Sequence, residues 1–198
     1  MRRLRLVTLV AVLAVGACGG GGPRLADDLL FVTRVVEVDP AAVRFVAKDV
    51  AGNVAEVGNT GEPRVLVYEV SAADARILDT YPQTPPPSST IRFGRDSLSF
   101  RSLEQLTEGA SRMVVLLRPF VEPTRGGVEF EGLVVAVAAD GRIVGSDWRG
   151  EDAARLEAVA GDDPASSLAE LVQALSRRYR GETLSTRDRE LLEAVGAG

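Results

Sequence analysis

The residues able to do chemistry are few. The 198-residue chain has no histidine and a single cysteine, Cys18. Without imidazole, Ser-His-Asp and Cys-His mechanisms are excluded, and so are histidine-built zinc and haem sites. No Gly-x-Ser-x-Gly turn, phosphate loop or dinucleotide fingerprint occurs. The only lysine, Lys48, has Phe45 three positions before it, so there is no Ser-x-x-Lys pair. Carboxylates remain. Glu129 and Glu131 lie two apart and share a face if the segment is a strand. Such a pair could serve glycoside hydrolysis or bind calcium. Alternation with Val128 and Phe130 is also the ordinary pattern of a half-buried strand with a solvated outer face, and that is the reading we take. Asp162-Asp163 precedes Pro164, where a helix N-cap and its dipole complement belong, so it reads as a cap and not as a metal site. Asp27-Asp28 reads as linker charge. Trp148, between Asp147 and Arg149, is a weak candidate for stacking a ligand, but a lid packing the body against the following helix is the preferred role. Tyr81 opens a segment with Pro82, Pro85, Pro86 and Pro87; a partner could dock there, but a surface connection is the simpler reading. No residue set implies a metal ion or an organic cofactor.

Cys18 has its own context. Arg2, Arg3 and Arg5 make a positive start, Leu6 to Ala17 carry no charge, and Val15-Gly16-Ala17 ends the run in small residues. A charged start, a short apolar core and a small-residue exit describe a secretory signal. The run is about half the roughly 20 residues a membrane-spanning helix needs.

Val15-Gly16-Ala17-Cys18 resembles the lipobox of bacterial lipoproteins. The resemblance implies that residues 1–17 are a signal peptide, that the chain is cut before Cys18, and that this cysteine carries diacylglyceryl on sulfur, with its new amine also open to acylation by palmitate or a similar chain. It also implies an exported protein, anchored to the outer face of the cell membrane, or to the outer membrane where the host has two. Gly19 lacks the Asp that would point to inner-membrane retention. Two or more acyl chains hold a protein stably where one does so marginally, and the run Gly19-Gly20-Gly21-Gly22 suits a tether, here taken through residue 27.

About 175 residues follow the glycines, enough for one core. With 45% apolar residues the composition is that of a folded domain. The formal net charge is −5, and loss of Arg2, Arg3 and Arg5 without any acid takes it to −8. A net acidic body argues against nucleic acid as a partner, although Arg177, Arg178 and Arg180 form a small basic cluster. With Cys18 lipidated, no disulfide can form.

The elements that must position these residues are mostly strands. Phe31 to Val38, then Val43, Phe45 and Ala47 after the Asp39-Pro40 turn, and Val54 to Val57 read as strands. So do Arg64 to Val70, Thr90 to Phe93, Leu98 to Phe100, Arg112 to Arg118 and Val128 to Ala138. Asp140-Gly141 closes a hairpin onto Arg142 to Val144. Ala72 to Thr80 is ambiguous between strand and helical turn, and Leu103 to Gly109 suggests a brief helix. Beyond Trp148 the period becomes helical: Glu151 to Ala160, then Asp163 to Gly181 with Leu168, Leu171, Val172, Leu175 and Tyr179 on one face, then a capping box at Ser185 and Asp188.

This order gives an α+β, mainly β fold: a small, antiparallel, partly closed β-barrel over residues 28–149, with short helices over 150–198 packed on it. Residues 30 to 145 resemble secreted bacterial domains of the oligonucleotide/oligosaccharide-binding (OB) fold, whose barrel netrin-like modules share. The resemblance rests on Val65 to Val70, Ser89 to Phe93, Gly109 leading into Arg112 to Leu117, Gly132-Leu133 and Asp140-Gly141, and it implies topology without activity. The functional expectation is a membrane-anchored envelope lipoprotein and not an enzyme: a non-catalytic binding or structural module, with a possible envelope protein or ligand as partner. The alternative is an Asp/Glu-dependent hydrolase at the envelope.

Overall fold

The computed structural model describes residues 25–46, 65–81, 84, 86–96, 102–120 and 130–198. Cys18, Lys48, Glu129 and the strands expected at 54–57 and 98–100 lie outside these residues.

The chain enters through α1 (Leu25–Leu29), whose Leu25 and Leu29 are fully buried. Residues 25–27, which the sequence places in a tether, belong instead to this helix, because two leucines four apart find a core to enter. Among the described residues eight strands follow: β1 (Arg34–Val38), β2 (Arg44–Phe45), β3 (Val65–Ser71), β4 (Ala75–Asp79), β5 (Thr90–Asp96), β6 (Arg112–Pro119), β7 (Phe130–Val137) and β8 (Ile143–Ser146). A short helix, α2 (Leu103–Leu106), lies between β5 and β6, with Ser102 as its N-cap. Three helices end the chain: α3 (Glu151–Ala160), α4 (Pro164–Tyr179) and α5 (Thr186–Ala194). The ambiguous stretch at 72–80 is both things in turn, a 3-10 turn at Ala72–Asp74 and then β4.

The strands form one mixed sheet in the order β2-β3-β5-β7-β6-β1-β4, with β8 also paired to β7. All pairings are antiparallel except β5 with β7, which is parallel. The order runs from β2 to β4 without returning, so the described sheet is open and not a closed barrel.

Two cores lie on opposite sides of β1, β6 and β7, as the two-residue alternation of a strand requires. On one side Val35, Val114, Leu116, Leu133 and Val135 pack with α1 and the three C-terminal helices. On the other, Val36, Met113, Val115, Leu117 and Val134 pack against β3, β5 and α2. Burial on both faces accounts for the continuous apolar run of β6, five consecutive residues of which are buried.

The helices follow their sequence signals closely. Asp163 caps α4 by accepting from Ser166 N–H at 3.3 Å, and Ser185 and Asp188 form the reciprocal capping box of α5. Gly181, at φ 70°, stops α4 in a conformation that side-chain-bearing residues avoid. Leu168, Leu171, Val172 and Leu175 face the core, but Tyr179 departs from the expected stripe and is 71% exposed.

Candidate functional site

Trp148 sits between β8 and α3 and is 2% exposed, within the helix-side core. It packs the sheet against the helices and has no free face on which a ligand could stack. Its indole Nε1–H donates to Asp28 Oδ2 at 3.0 Å. Asp28 is thus not linker charge: it anchors α1 to a residue 120 positions away. Arg118 Nη1 donates to the other oxygen of Asp28 at 3.3 Å, and its Nε and Nη2 donate to Glu131 Oε2 at 3.0 and 2.5 Å. Burial pushes the Asp28 carboxyl above its ordinary range, while the Trp148 hydrogen bond and Arg118 pull the other way.

Glu131, one half of the carboxylate pair singled out in the sequence, is therefore engaged by Arg118 across the β6–β7 register. Asp28 and Glu131 share one guanidinium. This arrangement fixes α1 against the sheet, with one guanidinium serving a carboxylate on α1 and another on β7.

A second buried pair was not singled out from sequence. Arg95 on β5 and Asp147 after β8 are almost wholly buried and meet at 2.5 Å, Nη2 to Oδ1. Asp147 Oδ2 also accepts from Val134 N–H at 2.8 Å, so the carboxylate ties β7 to β5. Burial pushes the Asp147 carboxyl up to about 6, against the opposing pull of Arg95 and the Val134 N–H. A signal for Arg95 does exist. Ile91, Phe93 and Arg95 occupy alternate positions of one strand, and the first two are buried, so the third must enter the same interior. An arginine there needs an acid, and Asp147, beside the only tryptophan, supplies it.

Tyr81 is half-buried, and the Arg180 guanidinium lies over its ring, 5.4 Å from the centroid. Arg180 also pairs with Glu182, Arg177 with Asp188, and Arg178 donates to the Gly198 carbonyl at 3.4 Å. Of the two weak candidates from the sequence, Trp148 is thus buried in the helix-side core and Tyr81 is covered by Arg180.

Two open clefts flank the helical side. One, of about 510 Å³, is lined by Leu25, Asp27, Arg149, Asp152, Arg155 and Ala197, among others. The other, of about 610 Å³, lies beside the β7–β8 hairpin and includes Arg112, Asp140, Arg142 and Glu157. In both, arginines face acids: Arg155 pairs with Glu151 and Asp152, and Arg142 with Asp140. Among the described residues no three acidic side chains converge as a metal site, and no helix is long and apolar enough to cross a membrane.

No family model, curated protein or solved structure matches this chain.

Proposed function

We propose that this protein is a bacterial envelope lipoprotein, exported, cut before Cys18 and held to the membrane by lipid on that residue, with a body that binds an envelope partner or serves a structural role and does no chemistry of its own. The observation that carries this reading is the adjacency of signal and body. The lipobox-like Val15-Gly16-Ala17-Cys18 is followed by four glycines and a proline, and Leu25, seven positions after Cys18, is already fully buried. That is the order an anchored domain needs: signal, lipid site, short spacer, core.

The engagement of the acids favours this reading over an Asp/Glu hydrolase. A hydrolase needs two carboxyls facing a substrate-sized cleft; among the described residues Asp28 and Glu131 are taken up by Arg118, and in the clefts Asp140 pairs with Arg142 and Glu151 and Asp152 with Arg155. For the body we favour a strongly curled, partly closed sheet of OB type. In its support, buried side chains of β3 and β5 share one core with those of β1 and β6.

The reading is tested by Cys18→Ala. Wild-type protein should incorporate labelled palmitate, carry the mass of the lipid and fractionate with membranes; the variant should lose all three and accumulate uncut or soluble. Membrane fractionation and processing that do not change in the variant would overturn it.

A further inference from the structure

We infer that one end of the domain, formed by the chain entry and the C-terminal turn of α4, rests on the lipid surface that holds the anchor, with Phe31 and Tyr179 entering the headgroup layer and Arg178 meeting anionic headgroups. The inference rests on the lipoprotein reading of Cys18 and adds the orientation of the body.

Among the described residues, two of the four exposed large hydrophobic ones, Phe31 at 57% and Tyr179 at 71%, belong to this end. A continuous set of contacts joins them. Phe31 precedes Val32, whose carbonyl accepts from Thr80 Oγ1 at 2.9 Å. Thr80 precedes Tyr81, whose ring lies under Arg180, and Arg180 follows Tyr179. On the far side of α1, Leu25 lines one cleft with Ala197, and the next residue, Gly198, accepts from Arg178. The entry helix is therefore flanked by the basic, aromatic end of α4 on both routes.

Covalent length supplies the second argument. Six residues separate Cys18 from Leu25. Fully extended, that stretch spans at most about 25 Å. A domain of this size is about 40 Å across, so the end opposite α1 cannot face the membrane, because that would place Leu25 further from the lipid than the stretch can reach. Aromatic side chains beside arginines are the chemistry of a membrane–water interface: the rings take the apolar boundary while the guanidinium stays with the phosphates. Of the three arginines at this end, Arg177 pairs with Asp188 and Arg180 with Glu182, which leaves Arg178, held only to the Gly198 carbonyl at 3.4 Å among the described residues, as the cation that can turn to a headgroup.

The opposite end is marked by the β7–β8 hairpin. Arg112 pairs with Val137 there, whereas Arg34 pairs with Leu117 at the near end. Arg142 in that hairpin has a side chain 75% exposed.

The lipidated full chain allows a direct test, since Cys18 is the only cysteine and its sulfur is blocked by lipid. Tyr179→Cys and Arg142→Cys are each labelled with an environment-sensitive fluorophore. The proteins are reconstituted in vesicles of phosphatidylethanolamine with phosphatidylglycerol, or of phosphatidylcholine alone. Quenching by lipids carrying a nitroxide near the headgroup is then read. A segment seated about 5–10 Å into the interface should lose roughly half its fluorescence or more at position 179, with little change at 142. The difference should shrink when phosphatidylglycerol is left out, and in a labelled Tyr179→Cys chain that also carries Phe31→Ser and Arg178→Glu. Equal quenching at the two sites, or none at either while the protein floats with the vesicles, would overturn the orientation and leave the anchor standing. Protein that carries no lipid mass and does not float removes the anchor, and the orientation falls with it.

Discussion

The indole Nε1–H of Trp148 donates to Asp28 Oδ2 at 3.0 Å, joining the first helix to the residue that closes the sheet before the C-terminal helices. The bond is part-buried, and Asp28 also takes Arg118. Trp148→Phe keeps most of the ring packing and removes the donor, which should cost about 1–2 kcal/mol of stability. Chemical denaturation followed by circular dichroism measures it. The same variant should expose the 25–30 segment to limited proteolysis well below the global transition, because the hydrogen bond holds α1 in place. A cost confined to global stability, with no earlier cleavage, would separate packing from the anchoring assigned here.

The Arg95–Asp147 pair should behave as buried pairs do. Arg95→Met alone leaves the Asp147 carboxylate without its guanidinium among apolar neighbours, and a loss of about 3–5 kcal/mol is expected. Replacing both, as Arg95→Met with Asp147→Leu, should recover much of that loss, since a packed apolar pair often matches a buried ionic one. Recovery will be incomplete because Asp147 also accepts from Val134 N–H, and that donor is then left unmet. A double variant no better than the single one would show that the pair matters chiefly for its hydrogen bonds to the backbone.

Acid dependence should carry two opposite contributions. The Asp147 carboxyl is raised by burial to about 6 from the ordinary 3.8, so the folded state binds its proton more tightly. Its contribution is greatest below about 4 and is lost as pH rises through 6. Asp188 is lowered to about 2, first by the Arg177 hydrogen bond and then by those of Ser185, against partial burial. Its contribution is present above about 4 and lost as pH falls through 2. Asp147→Asn should therefore cost more at pH 4.5 than at pH 8, while Asp188→Asn should cost more at pH 7 than at pH 2. Parallel denaturation curves for both variants across this range would contradict the assignments.

Much of this structure was legible from particular residues. Asp163-Pro164 and the Ser185/Asp188 box fixed the starts of α4 and α5, because capping is a local interaction that the sequence states directly. Asp140-Gly141 likewise announced the β7–β8 hairpin. The failures share a cause: each needed a partner distant in sequence. Leu25 to Leu29 is five residues with two acids beside a glycine run, and only its packing against α4 and Trp148 makes it a helix of the core. Tyr179 keeps the spacing of the buried stripe, yet periodicity gives a direction and not an opposing surface. Whether the sheet closes was not legible either, since strand patterns do not say which edges meet. The buried Asp147 looked like a flanking residue of Trp148 until Arg95 stood beside it.

Gly145 tests the packing of β8 on α2. A Cβ built there would lie 2.3 Å from the Leu106 carbonyl oxygen, a backbone atom that cannot rotate away. Leu106 is itself 1% exposed and belongs to the core shared by β3, β5 and β6. Gly145→Ala must therefore push α2 outward or bend β8, and overpacking of this kind costs about 1–3 kcal/mol or more. Gly109→Ala is the control: its φ of 77° disfavours a side chain, but nothing lies within 4 Å of the added methyl. That variant should lose only about 1 kcal/mol, from the backbone alone. Thermal unfolding of the pair separates the two causes, and equal losses would mean that α2 yields freely to β8 and does not brace it.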